Sequence, residues 1–189
     1  CELKHFVAND QETHRSGVCT WLTEQALREI YLKPFEIAVK EGGSMGIMSS
    51  FNRLGTLWTG GDYRLLTEVL RNEWGFEGCV ITDFNTESFM NTKQMSYAGG
   101  DLNLATIRQD WSATTPADVT VLRNNVKNVL YATARSNAMN GCGEGGYYIT
   151  YFAWWETAIF VVDIVLLVLA IGWGVAVFLT IYFKEKRNV

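Results

Sequence analysis

A run of twenty uncharged residues, Ile164 to Phe183, limits the fold of this chain more than any other feature. A helix rises about 1.5 Å per residue, so this run is long enough to cross the roughly 30 Å hydrocarbon core of a bilayer. Three basic residues follow it within 184–187, whereas the flank 143–156 has neither Lys nor Arg. The positive-inside rule therefore predicts a single-pass protein of the cell membrane, with residues 1–140 outside and the C-terminus in the cytoplasm.

Aromatic residues flank this run on both sides, as expected for rings at the two interfaces between membrane and water. They are Tyr147, Tyr148, Tyr151, Phe152, Trp154 and Trp155 on the N-terminal side, and Tyr182 and Phe183 at the other end. We therefore expect an aromatic linker over residues 142–156, a transmembrane helix over 157–183 and a basic cytoplasmic tail over 184–189.

Residues 1–141 alternate between short apolar runs and helical patterns. The apolar runs lie at 3–9, 46–52, 78–84 and 99–105, and each finishes in polar residues. The helical patterns cover Thr23–Lys40, which Pro34 interrupts with a kink or a restart, then Tyr63–Trp74 and Val119–Arg135. Alternating strands and helices predict an α/β fold of parallel β/α units. Four units are too few for an eight-stranded barrel, so either further units lie upstream or the sheet is small and open.

Each helical pattern has an apolar face that is expected to pack on the sheet. These faces comprise Leu27, Ile30, Tyr31, Phe35 and Val39 in the first helix, Leu65, Leu66, Val69, Leu70 and Trp74 in the second, and Leu122, Val126, Val129, Leu130 and Thr133 in the third.

Composition and charge disfavour several classes of function. The net charge is -4 and no basic block occurs outside the last six residues, so we expect no nucleic-acid partner. The four cysteines are scattered without a C-x-x-C pair, which is neither a zinc pattern nor a disulfide framework. His5 and His14 are the only histidines and share one short segment, so we expect no metal site and no cofactor.

The apolar run Cys79–Ile81 is followed by Thr82 and then by a carboxylate, Asp83. An ionised Asp inside a sheet that is buried on both faces carries a large desolvation cost, but at the carboxyl end of a parallel strand it can face a cleft. Asp83 could equally cap the helix that follows, as Asp often does. Spacing alone leaves both interpretations open.

Five blocks of residues 3–104 form an ordered series of motifs. They are LKHFVANDQETHR at 3–15, LREIYLKPFEIAVKEGG at 27–43, GIMSSFNRLG at 46–55, LLTEVLRNEWGFEGCVITDFN at 65–85 and AGGDLNL at 98–104. In order and spacing they resemble the later part of the catalytic barrel of glycoside hydrolase family 3, the β-glucosidase-like enzymes, and the resemblance continues to about Gly141. It implies a partial (β/α) barrel of the TIM type, made of the later β/α units only, and retaining hydrolysis of terminal β-linked sugars.

The resemblance also implies roles for individual residues. Asp83 matches the family's nucleophile, which follows Ser or Thr at a strand end. Lys4 and His5 match a Lys-His pair that donates hydrogen bonds to sugar hydroxyls, and a cationic Lys nearby would favour the ionised form of Asp83.

Two aromatic positions depart from the family's common pattern. Phe51 stands where many members place a Tyr whose hydroxyl contacts the nucleophile, and Phe84 replaces the common Trp but can still stack on a sugar. Both are expected to border the substrate. Glu12 and Arg15 match the QE..R that follows the Lys-His pair, and we expect them to form a local salt bridge.

Several parts of the family's active site have no match in this chain. The first barrel strands of the family carry an Asp and an Arg that grip the sugar, and the general acid usually comes from a second domain. Because the chain also begins at Cys1 without an initiator Met, we expect it to be the C-terminal part of a larger bacterial surface enzyme, inactive alone. Its partners would be a carbohydrate, membrane lipid around 157–183, and the missing upstream barrel and second domain. The alternative is a non-catalytic, membrane-anchored remnant that serves as a binding or structural surface domain.

Overall fold

The computed structural model describes residues 2–85, 89–106, 111–139 and 149–187. The chain divides into two compact units, Cys1–Gly143 and Glu144–Val189.

The strands described in the first unit form two small sheets. The strands are β1 (Glu2–Phe6), β2 (Cys19–Thr20), β3 (Gly46–Ser49), β4 (Arg53–Leu54), β5 (Leu57–Trp58) and β6 (Cys79–Ile81). The main sheet has the order β1-β3-β6 and is parallel throughout, with Ile47 paired to Leu3 on one side and to Val80 on the other. The prediction that 46–52 and 78–84 contain neighbouring parallel strands is confirmed. The second sheet, β2-β4-β5, was not expected; β2 pairs parallel with β4, and β4 pairs antiparallel with β5.

The predicted run 99–105 lies beside β6 but forms only an isolated bridge. Leu102 pairs in parallel with Ile81, and its carbonyl accepts a hydrogen bond from the backbone N–H of Thr82 at 2.9 Å. The backbone N–H of Asn85 donates to the carbonyl of Leu104 at 2.7 Å. This segment therefore extends the main sheet on the side of β6.

The main sheet is well covered on only one of its faces. Ile47 and Val80 are fully buried against the helices, in a core that also contains Phe6, Leu66 and Leu70. On the opposite face of the neighbouring strands, Met48, Cys79 and Ile81 are only half-buried. Parallel sheets are normally buried on both faces. The residues that the structure describes do not cover the second face of this sheet in that way.

The first predicted helix is broken into three pieces. They are α1 (Glu24–Ala26), a π-helix at Leu27–Tyr31 and α2 (Lys33–Lys40). Pro34 lies in the first turn of α2, where its missing N–H has no helical acceptor to lose, so it marks a restart. Four members of the predicted apolar face contact the core, but Ile30 is 62% exposed, and its placement on that face was wrong. Ile30 lies within the π-helix, whose turns contain more residues than the 3.6 of an α-helix. An apolar face predicted from the 3.6-residue period therefore places Ile30 on the wrong side.

The second predicted helix packs as expected. Arg64–Glu73 is wound as a π-helix, yet Leu65, Leu66 and Leu70 are buried on the core side. A short helix, α3 (Thr92–Ala98), follows; Asn91 caps its start and Gly99, with a φ of 108°, ends it.

The last α-helix described in the first unit, α4 (Pro116–Ala134), starts earlier than predicted, and a 3-10 helix at Asn137–Met139 follows it. Thr115 caps it, and its side chain and that of Asp118 bond each other's backbone N–H groups in a capping box. Of the predicted apolar face, Val126 and Leu130 are more than half exposed and border an open groove of about 520 Å³.

The second unit contains one long helix, α5 (Trp154–Arg187). Its 31 residues from Trp154 to Lys184 are long and apolar enough to cross a membrane, as length and composition show. The helix begins at Trp154, so the end of the expected linker 142–156 is helical; residues 142–148 of that linker, with Tyr147 and Tyr148, lie outside the described residues. The expected tail is helical to Arg187, and its last two residues also lie outside them.

Candidate functional site

Asp83 lies two residues beyond β6, at the carboxyl end of the main sheet, and is about nine-tenths buried. Its Oδ1 accepts the backbone N–H of Phe84 at 2.7 Å. The helix that follows, α3, is capped by Asn91, and neither Phe84 nor Asn85 is helical. Asp83 therefore does not cap a helix, which removes one of the two interpretations that spacing left open.

The second oxygen of Asp83 lies next to the imidazole of His5, a residue of β1, which β3 separates from β6. Nε2 of His5 lies 3.1 Å from Oδ2, within ion-pair distance when the imidazole is protonated. The buried Oδ2 accepts no hydrogen bond from His5 or from any other described residue. A buried carboxylate oxygen without a donor is costly, so such an atom points to a functional role.

The loop that carries Asp83 is held by side chains on both sides of that residue. Oγ1 of Thr82 accepts the backbone N–H of Leu104 at 2.9 Å. Nδ2 of Asn85 donates to Oδ1 of Asn103 and to the carbonyl of Met90, both at 3.0 Å. These bonds tie the loop to the segment beside β6, so the carboxylate is held in place before any ligand arrives.

The other predicted site residues differ in their surroundings. Lys4 is exposed on β1, and its side chain makes no hydrogen bond or ion pair with any residue in the described ranges. Phe84 is 39% exposed, so its ring is open to a ligand. Of the two members of the Lys-His pair, the structure brings only His5 into contact with Asp83.

Phe51 forms a buried wall instead of an open platform. Its ring packs against Phe89, with centroids 6.4 Å apart, and the guanidinium of Arg15 lies 4.1 Å above it. The expected salt bridge between Arg15 and Glu12 is present at 2.7 Å. The sequence interpretation missed the stacking of Arg15 on Phe51, because residues 36 positions apart give no periodic signal.

A second buried aspartate provides a structural contrast to Asp83. Both oxygens of Asp101 are paired: Oδ2 with Arg71 and with the backbone N–H of Val80, each at 2.7 Å, and Oδ1 with Nδ2 of Asn128 at 2.9 Å. Burial raises the pKa of Asp101, and the Arg71 guanidinium opposes this shift. Asp101 thus connects the sheet to the helices through hydrogen bonds from both oxygens, whereas Oδ2 of Asp83 accepts no hydrogen bond.

The described residues contain no group of three His, Cys, Asp or Glu side chains placed to hold a metal ion. Burial raises the pKa of the Cys79 thiol to about 12, so this thiol is neutral at physiological pH and a poor nucleophile. Of the two buried aspartates described near β6, Asp83 is the one with an oxygen that accepts no hydrogen bond.

Comparison with known proteins shows which family the chain resembles. The family model described as the glycosyl hydrolase family 3 N-terminal domain matches residues 1–104. A beta-glucosidase from Rhizobium radiobacter is 47% identical over 103 residues, which are 54% of this chain and 12% of that protein. An exo-alpha-(1->6)-L-arabinopyranosidase from Bifidobacterium longum is 46% identical over 85 residues, 45% of this chain and 11% of that protein.

Solved structures give the same result. Beta-glucosidase 3B from Thermotoga neapolitana, in complex with alpha-D-glucose, superimposes with a TM-score of 0.64 and 34% identity, over 74% of this chain and 21% of that one. The chain thus spans only about an eighth of the length of the curated relatives that it matches. Since the family model covers more than half of the 189 residues, the chain belongs to glycosyl hydrolase family 3.

Proposed function

We propose that Asp83 is the nucleophile of a retaining β-glycosidase and that this chain supplies the later β/α units of its TIM-type barrel. The observation that carries the proposal is the buried Oδ2 of Asp83, which accepts no hydrogen bond and lies 3.1 Å from Nε2 of His5, just beyond a strand end. An ionised oxygen fixed in this way is suited to attack an anomeric carbon. The beta-glucosidase names of its relatives support the same reaction class.

The reaction would proceed in two displacements. Oδ2 of Asp83 forms a bond to the anomeric carbon while the bond from that carbon to the leaving oxygen breaks, and a carboxylic acid protonates the leaving oxygen. Water then attacks the same carbon, gives its proton to the conjugate base of that acid, and releases Asp83 as a carboxylate. The sugar keeps its anomeric configuration because it is inverted twice.

His5, Lys4 and Phe84 would bind the sugar. His5 lies beside Asp83, and Lys4 precedes it on β1; both would donate hydrogen bonds to sugar hydroxyls. The exposed ring of Phe84, next to Asp83, would stack on the sugar face. Phe51 would contribute as the wall that holds Arg15 at the rim.

The half-covered sheet supports a larger barrel. Met48 and Ile81 present apolar surface on a face that parallel sheets normally bury, and Val126 and Leu130 on α4 are exposed in the same way. We propose that upstream barrel strands cover these surfaces, and that the general acid and the remaining sugar-binding residues come from that part and from a second domain. By itself the 189-residue chain should then show negligible glycosidase turnover.

We further propose that α5 anchors the enzyme in the cell membrane as a single pass, with the catalytic part outside and the C-terminus in the cytoplasm. The length and apolar composition of the helix and the basic residues at its end support this topology.

The substitution Asp83→Asn tests the function. It is made in the proposed longer polypeptide, in which the β/α units of this chain and the upstream units together form a complete barrel. The amide keeps the shape of the side chain but cannot form the glycosyl ester, so turnover of an aryl β-glucoside should fall by roughly four orders of magnitude or more. Near-normal turnover in a folded variant would reject Asp83 as the nucleophile. If the protein is an enzyme, the variant should lose turnover and still bind the sugar. A non-catalytic remnant would show no turnover even before the substitution.

A further inference from the structure

We propose a second, non-catalytic binding site for a neutral saccharide in a groove of the first unit. The groove lies between the second sheet, the π-helix Leu27–Tyr31 and the π-helix Arg64–Glu73, and it is separate from Asp83. Its volume of about 450 Å³ is within the range of small-molecule sites. Residues that carry the proposal are Trp21, Glu24, Arg28, Asp62, Glu68 and Glu73.

Trp21 provides an open aromatic surface at this groove. Its side chain is 74% exposed, which is unusual for so large an apolar group. The six-membered ring lies against Gly55, the turn between β4 and β5, where a Cβ would stand 3.8 Å from Cη2 and Cζ3 of the indole. The indole is thus supported by a turn on one side and open elsewhere. The C–H groups of a sugar ring are attracted to such an electron-rich face.

The polar groups of the groove are arranged by ion pairs. Arg28 bonds Glu24 at 2.9 Å and Glu73 at 2.8 Å, and Arg64 bonds the buried Asp62 at 3.0 Å. Glu68 lies on the π-helix Arg64–Glu73, and its side-chain carboxylate forms no ion pair or hydrogen bond with the residues that the structure describes. Paired carboxylates keep unused lone pairs, so these groups can accept hydrogen bonds from hydroxyls while the pairs stay intact.

The balance of charge and surface selects the ligand class. Four carboxylates and two guanidinium groups line the groove, a net charge of about -2 that disfavours anionic ligands. Leu27, Leu54 and Val69 line it as well, so the groove also has apolar surface. A ligand that presents both C–H surface and hydroxyl groups, without negative charge, suits this lining. Neutral saccharides have these properties.

The groove is tied to the loops that follow β1 and β3. Thr20 lines it, and Nδ2 of Asn52 donates to Oγ1 of Thr20 at 3.4 Å and to the carbonyl of Val7 at 3.1 Å. Asn52 follows Phe51, the wall residue of the candidate site. A glycan held at Trp21 would thus be bound to the same compact unit as Asp83.

The experiment uses the full chain in lipid nanodiscs, with tryptophan indoles labelled with ¹⁵N and cellotetraose as the probe. We expect the Trp21 indole resonance, assigned from its loss in Trp21→Ala, to shift in a saturable way. Calorimetry should show affinity falling roughly tenfold in Trp21→Ala, the order expected for loss of one aromatic contact. The matched control is Tyr63→Ala, which removes a 51% exposed aromatic that does not line the groove and should leave affinity unchanged.

Three results would overturn the site. One is unchanged affinity in Trp21→Ala when circular dichroism shows a folded chain. Another is an equal loss in Tyr63→Ala. The third is a Trp21 shift with a lysine-rich peptide and none with cellotetraose, which would mark a peptide site. None of these bears on turnover at Asp83, so this proposal and the proposed function can fail separately.

Discussion

Nε2 of His5 and Oδ2 of Asp83 lie 3.1 Å apart although their strands, β1 and β6, are separated by β3. Parallel pairing places the carboxyl ends of all three strands at one edge, so side chains distant in sequence converge there. The contact is therefore a consequence of strand order, and it places an imidazole next to the one oxygen of Asp83 that lacks a donor.

Asp101→Asn should destabilise the fold, in contrast to Asp83→Asn. The change leaves the largely buried Arg71 without its ion pair and places an amide where the backbone N–H of Val80 needs an acceptor. The expected loss is about 3 kcal/mol of unfolding free energy. Urea unfolding of the chain in detergent measures it. Asp83→Asn should leave the midpoint unchanged or raise it, since Oδ2 accepts no described hydrogen bond; the opposite ranking would contradict the roles assigned to the two carboxylates.

Asp118 should make the first unit sensitive to acid. The hydrogen bond from Tyr97, followed by those from Lys93 and the backbone of Thr114, holds the pKa of Asp118 far below its ordinary value. Because the folded pKa is depressed, the contribution of Asp118 to stability is complete above its unfolded pKa of about 4 and is lost as pH falls below it. The stability gap between the wild type and Asp118→Asn should be wide at neutral pH and shrink toward pH 3. Thermal unfolding across this range measures the gap, and a constant gap would refute the assignment.

Gly78→Ala should disturb the pairing of β3 and β6. A Cβ at Gly78 would stand 2.2 Å from the carbonyl oxygen of Met45, the acceptor for the N–H of Cys79. Because a backbone atom cannot move aside easily, we expect a loss of about 1–3 kcal/mol. Gly17→Ala is the control, since its Cβ would be 3.8 Å from the nearest atom. Equal stability of the two variants in urea would mean that the strands are not this close.

The topology of α5 can be tested with reporter fusions. A reporter placed after Val189 should be active only if it functions in the cytoplasm, because the basic residues Lys184, Lys186 and Arg187 are expected to stay inside. Replacing these three with Gln, and adding Lys near Tyr151, should weaken or invert the orientation. An extracellular signal from the unmodified chain would contradict the proposed anchor.

Much of the main sheet could be predicted from the sequence. The runs containing β3 and β6 are short, apolar and bounded by Gly and polar residues, and their parallel pairing followed from the helices between them. The short strands β2, β4 and β5 were missed because strands of two residues have no measurable periodicity. The π-helices were also missed, because apolar spacing does not distinguish an i→i−5 bond, such as that from Trp74 to Val69, from an ordinary helical turn.

The candidate site was only partly predictable. The position of Asp83 after an apolar run predicted a strand end, but only the cap at Asn91 and the non-helical residues after Asp83 show that this carboxylate does not cap a helix. Asp101 also follows a glycine-bounded turn, and its structural role depends on Arg71 and Asn128, which are distant in sequence. Long-range side-chain pairs such as these cannot be predicted from spacing.

Covalent trapping tests the nucleophile most directly. A 2-deoxy-2-fluoro β-glucoside with a good leaving group slows the second displacement more than the first, so the glycosyl-enzyme should accumulate. In the polypeptide in which these units complete a barrel, peptide mass spectrometry should find one fluorosugar on the fragment CVITDFN, at Asp83, and none in Asp83→Asn. A label on any other carboxylate, or an unchanged label in Asp83→Asn, would contradict the account.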